Sequence, residues 1–266
     1  RVLASAGAEV TLAVRNVEVG QKVAADIAQA TGNDRLRVLP LDLADRRSID
    51  ALTAAWQGPL HMLVNNAGVM ANPLARTPEG WESQFATNHL GHFALTLGLH
   101  PAMKREGARI VSLSSSGHHM GPVVFEDIHF DIRPYDAWTA YGQSKSANAL
   151  FAVEAARRWA ADGITANAVM PGAIRTNLQR HTGELKSSDD YWKTPAQGAA
   201  TSVLAAASPL LDGVTGRYFA DCNEALPITR TEGNRYDEMS LVAHWAIDPL
   251  LAQRLWTVSL AMLGRA

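Results

Sequence analysis

The sequence predicts an α/β fold, a doubly wound parallel sheet forming a single domain over residues 1–266. Three observations predict it. Short apolar runs rich in Val, Ile and Leu alternate with longer stretches of helical period along the whole chain. Those runs are continuously apolar, as a sheet covered on both faces requires. The length of 266 residues can bury one sizeable core.

The elements follow in order. Residues 10–15 read as a strand and 17–30 as a helix. A second strand runs over 37–43 and a helix over 46–56. The strand at 60–64 ends in Asn65-Asn66-Ala67-Gly68, and one long helix is expected from 79 to about 103. Residues 109–113 form a strand that runs into serines, followed by a helix at 139–161. The strand at 164–170 closes on Pro171-Gly172. A helix at 195–207, a strand at 217–220 and a helix at 248–263 complete the chain. Sheets of this kind bind ligands at the carboxyl ends of their strands, which here carry Arg15, Asp42, Asn66, Ser115 and Pro171-Gly172.

Composition narrows the function. Hydrophobic residues make up 47% and charged residues 19%, which excludes general disorder. With 24 basic against 26 acidic side chains there is no basic excess to drive nucleic-acid binding. The single cysteine, Cys222, allows no intrachain disulfide and reads as a small buried strand residue in a reducing, cytoplasmic setting. No stretch approaches ~18 consecutive apolar residues, so no membrane segment is expected.

A dinucleotide-binding sheet usually opens with a strand and a glycine-rich turn, and neither precedes residue 10. The chain is therefore expected to be a fragment lacking its first, central strand. That loss would interrupt the sheet, at about 1–3 kcal/mol per unsatisfied backbone group. Against a net stability of about 5–15 kcal/mol, such a chain is expected to be unstable or to hold cofactor weakly.

The chemistry gathers in Tyr141-x-x-x-Lys145. Four residues apart on a helix, phenol and ammonium share one face. A positive charge ~4 Å away is worth about 4 kcal/mol at an effective dielectric of ~20, enough to draw a phenol toward neutrality. Ser112, Ser114, Ser115 and Ser116 end the preceding strand, where a hydroxyl can meet the tyrosine, although turn-forming serines look the same. In residues 65–68 small side chains let backbone approach a flat ligand; an ordinary turn is the plainer account. Asn88 interrupts a helical stretch, where asparagine either faces solvent or serves a network.

Together these residues resemble the short-chain dehydrogenase/reductase family. The matching elements are Asp42-Leu43, Asn65-Asn66-Ala67-Gly68, Asn88 in Asn-His-Leu-Gly-His-Phe, the serines, Tyr141-x-x-x-Lys145 and Pro171-Gly172-x-Ile174-x-Thr176. Within it the chain is similar to the retinol-dehydrogenase-like branch, from Arg15-Asn16, the long segment between Ser115 and Tyr141, and the tail.

The resemblance implies a Rossmann-like fold and an oxidoreductase. Tyr141 would be the general acid/base, and Lys145 would lower its pKa and bind the nicotinamide ribose. Ser115 would polarise the substrate oxygen, and Asn88 would hold a water leading from Lys145. Spacing alone does not separate Ser115 from Ser114. Asp42 and Leu43 would meet the adenine, and Asn66, Ala67 and Gly68 the adenosine. Pro171, Gly172, Ile174 and Thr176 would face the nicotinamide carboxamide or the phosphates. The strand at 10–15 ends on Val14-Arg15, with no carboxylate before Glu18, so a guanidinium stands where a 2′-phosphate would lie and NADP(H) is the expected cofactor.

The expected partner is a small carbonyl or alcohol, probed by an apolar pocket if Trp138, Tyr191, Trp192, Val123, Val124 and Phe125 border the cleft; they equally read as loop anchors. Asp189-Asp190 reads as solvated surface, and Trp159 and Trp256 as helix-packing residues. His89, His92, His118 and His119 lack Cys/Asp/Glu at ligand spacing, so no metal is expected. The serines lack a Gly-x-Ser-x-Gly turn. A homo-oligomer is left open. The competing function is a non-catalytic dinucleotide-binding or scaffold protein on the same fold.

Overall fold

The computed structural model describes residues 1–182, 191–228 and 239–265. Asp189 and Asp190 lie outside the described residues.

A short helix α1 (Val2–Ser5) leads to β1 (Val10–Val14), α2 (Val17–Thr31) and β2 (Leu36–Pro40). Asn16 starts α2 by accepting the Val19 amide at 3.0 Å, and Gly32 at φ 69° ends it. Gly20 sets the helix close on the strands: a Cβ there would stand 2.7 Å from Val14 and 2.8 Å from Val38. Helix α3 (Arg46–Ala55), capped by Asp45, is followed by β3 (Met62–Asn65).

The long helix expected from residue 79 is three pieces: α4 (Ser83–Phe85), a π-helical turn (Ala86–Leu90) and α5 (Gly91–Met103). It begins later because the Glu82 carboxylate accepts the Gln84 and Phe85 amides, both at 2.8 Å, and so stands outside the helix as its cap. The wider turn holds Asn88. Next come β4 (Ala108–Leu113), a 3₁₀ turn (Ser116–Met120), α6 (Ala137–Trp159), β5 (Ile164–Met170) and α7 (Pro195–Ala207). The chain closes with β6 (Tyr218–Ala220), β7 (Asn223–Glu224), β8 (Pro227–Ile228), β9 (Val242–Ala243) and α8 (Pro249–Met262).

Strands β3, β4, β5 and β6 are parallel neighbours, with β7 antiparallel at the edge. Strands β1 and β2 form a separate parallel pair. Among the described residues no ladder joins β1 to β3, and the edges of both line one cavity.

Alternate residues of the buried strands feed opposite faces. Ile110, Ala166 and Ala168 pack with α5 and α6, whereas Val111, Leu113 and Val169 pack with Ala205 and Ala206 of α7. This two-sided covering is what the continuously apolar strands predict. Helix α8 lies against α6, and Trp256 packs edge-on to Phe93 at 4.9 Å and to Trp159 at 5.2 Å. Each such buried aromatic stabilises by about 1.5–3 kcal/mol. Both tryptophans are packing residues, as read from the sequence.

Cys222 departs from expectation. It is exposed, with φ 60°, in the turn between β6 and β7, because the chain must reverse there. No described helix is long and apolar enough to cross a membrane.

Candidate active site

The carboxyl ends of the strands open on a cavity of about 2880 Å³, which includes the space between β1 and β3. Arg15 stands at the end of β1, Asp42 and Leu43 follow β2, and Asn66, Ala67 and Gly68 follow β3. Ser115 follows β4, Tyr141 and Lys145 project from α6, and Pro171, Gly172, Ile174 and Thr176 follow β5. All of these line the cavity. Asn88 stands behind the wall, fully buried.

Asn88 is a pin. Its Nδ2 donates to the Val69 carbonyl and to Ser144 Oγ, both at 2.9 Å, and its Oδ1 accepts the Val69 amide at 2.8 Å. It thereby fastens the loop after β3 to α6. Its main-chain carbonyl accepts from His92 Nδ1 at 2.9 Å, which fixes the proton on that nitrogen. A Cβ on Gly68 would sit 3.1 Å from Asn88 Oδ1 and 3.6 Å from Lys145 Nζ. The missing Cβ leaves a cradle in front of the ammonium, into which a flat ring or ribose fits. A dinucleotide therefore suits the residues present.

Lys145 is 5% exposed and donates Nζ–H to the Leu113 carbonyl at 3.0 Å. Burial pulls its pKa down to about 8. Tyr141 is 4% exposed, and burial pushes its phenol up to about 12, opposed by a hydrogen bond with Ser115. The spacing predicts a phenol drawn toward neutrality by the ammonium, and the structure departs from that. Desolvation of the phenolate outweighs the ammonium, whose hydrogen bond goes to a backbone carbonyl.

The serines separate in space. Ser112 Oγ donates to the Asn148 carbonyl at 2.9 Å and Ser114 Oγ to the Lys145 carbonyl at 2.8 Å, so both tie β4 to α6. Ser115 Oγ accepts the Gly117 amide at 3.1 Å and is the hydroxyl beside Tyr141. Glycine at 117 is required, because a Cβ would stand 2.7 Å from the Tyr141 ring.

Beyond β5, Thr176 caps the turn at Asn177–His181 by accepting the Leu178 amide at 3.2 Å. Ile174 packs on Gly198 of α7, where a Cβ would meet it at 2.5 Å. Around Tyr141 the wall is apolar. Met70, Ala71, Trp138 and Leu178 surround Tyr141, with the Trp138 ring edge-on at 6.3 Å. Tyr191 and Trp192 continue that wall. Val123 and Phe125 instead pack with Phe85, Leu90 and Leu150, as loop anchors, and the Val124 amide bonds Gln143 Oε1 at 3.0 Å.

Sequence reasoning missed His118, which is fully buried against Ser115, Tyr218 and Ala243. The adjacent histidines 118 and 119 were the signal, and their spacing reads only as metal chemistry. Among the described residues no three His, Cys, Asp or Glu side chains meet as a metal site. His89 Nε2 lies 2.8 Å from Ser259 Oγ, joining the π-helical turn to α8.

A family model described as short chain dehydrogenase matches residues 1–186. A Streptomyces antibioticus protein named "Probable oxidoreductase" is 53% identical over 272 residues, covering 96% of this chain and 89% of that one. Human retinol dehydrogenase 12 is 38% identical, covering 99% of this chain and 81% of that protein. The crystal structure of an uncharacterised Mycobacterium Paratuberculosis protein superposes with a TM-score of 0.75 at 32% identity, covering 98% of this chain and 86% of that one.

Proposed function

Because this chain belongs to the short-chain dehydrogenase family, in its retinol-dehydrogenase-like branch, we propose that it transfers a hydride between NADP(H) and the carbonyl/alcohol pair of a lipophilic substrate. One observation carries the reading: the Tyr141 phenol, the Ser115 hydroxyl and the Lys145 ammonium occupy one wall of the cavity, beside an apolar wall. When bound, the nicotinamide supplies or accepts the hydride.

The chain's own groups handle the oxygen and its proton. Ser115 donates a hydrogen bond to the substrate oxygen and orients it. Tyr141 gives that oxygen a proton in reduction and takes one in oxidation. Lys145 holds positive charge near the phenolate that reduction leaves behind. Asn88 holds the loop carrying Gly68, so that the cradle before Lys145 keeps its shape.

Two features support the finer assignments. Arg15 is exposed at the end of β1 on the cavity wall, with no carboxylate before Glu18, which favours a 2′-phosphate over a bare ribose. Met70, Trp138, Leu178, Tyr191 and Trp192 offer apolar contact rather than hydrogen bonds to a substrate body. Relatives named retinol dehydrogenase and polyprenol dehydrogenase carry the names of apolar alcohols, in keeping with that wall.

The test is NADPH consumption by the full protein with a panel of aldehydes and ketones of graded apolar length. Carbonyl-dependent loss of NADPH absorbance, greatest for apolar members, is expected. Cofactor binding without turnover on any member would instead make the protein a dinucleotide-binding scaffold.

A further inference from the structure

We propose that His118 is a positioning residue that links the segment at residues 240–246 to Ser115, so that the substrate side of the cavity sets the orientation of the catalytic hydroxyl. The proposal rests on the reading of Ser115 as the group that binds the substrate oxygen.

The partners of the imidazole define its state. The Ser115 carbonyl can only accept, so His118 Nδ1 carries the proton across the 2.6 Å contact. The Ala243 amide can only donate, so Nε2 is bare and accepts it at 3.0 Å. One neutral tautomer satisfies both ends, and the ring is fully buried between them.

At the Ser115 end the link is stiff. The carbonyl also accepts the His118 amide at 3.0 Å and the Tyr218 hydroxyl at 3.4 Å. Three donors on one oxygen fix the peptide that follows Ser115, and the Ser115 hydroxyl leaves from the residue so fixed. Its Oγ accepts the Gly117 amide at 3.1 Å and reaches Tyr141.

At the other end the link reaches the substrate wall. Ala243 of β9 pairs with Ile228 of β8, and Trp245 Nε1 donates to the His118 carbonyl at 3.3 Å. Upstream, Met239 lines the cavity and accepts the Tyr191 hydroxyl on sulfur at 3.1 Å. A substrate body resting on Met239 and Tyr191 thus bears on the strand whose amide His118 holds. Neighbouring His119 is the cavity-facing member of the pair.

Two substitutions divide the link. An asparagine amide can replace Nδ1–H toward Ser115 but falls short of Ala243, whereas a glutamine oxygen can replace Nε2 toward Ala243 but offers Ser115 no matching donor. With a long apolar carbonyl as substrate, His118→Gln is expected to lower kcat about tenfold or more with KM near wild type, and His118→Asn to raise KM several-fold with kcat near wild type. Hydrogen exchange gives a readout independent of activity: the Ala243 amide should lose protection in His118→Asn and keep it in His118→Gln.

Variants that change kcat and KM together, in step with their loss of thermal stability, would make His118 a packing residue and overturn the proposal. Equal Ala243 protection in both variants would also overturn it, with the reading of the site intact. A wild type that reduces no carbonyl would overturn that reading first, and this proposal with it.

Discussion

Lys145 lies one helical turn beyond Tyr141, with its Nζ 5.7 Å from the centroid of the Tyr141 ring and its hydrogen bond given to the Leu113 carbonyl. The charge proposed to steady a phenolate is thus held in place by the end of β4, the strand that leads into Ser115.

Burial makes that charge sensitive to alkali. The Lys145 pKa is depressed to about 8, so the ammonium is present below that value and lost as pH rises through it. The kcat/KM profile for carbonyl reduction should fall above about pH 8, because the departing proton would leave an uncompensated phenolate. In Lys145→Arg the guanidinium keeps its charge, and whatever activity remains should show this limb at higher pH. A wild-type profile level to about pH 10 would contradict the assignment.

Ser114 and Ser115 should part on substitution. Ser115→Ala removes the hydroxyl beside Tyr141 and should lower kcat by about 10²-fold or more, with little change in unfolding midpoint. Ser114→Ala removes the bond to the Lys145 carbonyl at 2.8 Å and should cost about 1–3 kcal/mol of stability while retaining most turnover. Steady-state kinetics with urea unfolding of both variants checks this. The reverse pattern would move the catalytic role to Ser114.

Three buried histidines should make the fold acid-sensitive. Burial lowers His89 and His118 to about 3 and His92 to about 4, from an ordinary 6.5. Between those values the unfolded chain takes up protons that the folded chain refuses. Their contribution is therefore fully present above about pH 6.5 and is lost as pH falls toward 4, with a slope of up to about 1.4 kcal/mol per pH unit for each ring. Urea midpoints near pH 7 and near pH 5 test this, and an unchanged midpoint would contradict it.

Arg15→Ala should remove the guanidinium from the end of β1. The loss is expected in kcat/KM with NADPH, about tenfold or more, with NADH left within about twofold. Parallel losses with both cofactors would show that Arg15 does not read the 2′-phosphate.

Periodicity and spacing carry much of this architecture, for physical reasons that differ by residue. Continuous apolar runs mark strands covered on both sides, and Ile110 and Val111 indeed serve opposite faces. Strand ends predict where Arg15, Asp42, Asn66, Ser115 and Pro171-Gly172 converge, because strand direction decides which end holds ligands. Other features depend on long-range partners. Past the end of β4, Ser114 Oγ turns to the Lys145 carbonyl and Ser115 Oγ to the Gly117 amide and Tyr141, a split that adjacent serines do not reveal in sequence. His118 finds Ala243, which is 125 residues away. The rise of the Tyr141 pKa comes from burial by Met70, Ala71 and Leu178, none of which a Tyr-x-x-x-Lys spacing reveals. The π-helical turn at Asn88 arises from contacts with Val69 and Ser144, not from helix propensity.

The most direct measurement is turnover by Tyr141→Phe, which deletes one oxygen from the cavity wall. With folding verified by circular dichroism and NADPH affinity by titration, carbonyl-dependent NADPH oxidation should fall by about 10²–10⁴-fold. Turnover within a few-fold of wild type would show that another group delivers the proton.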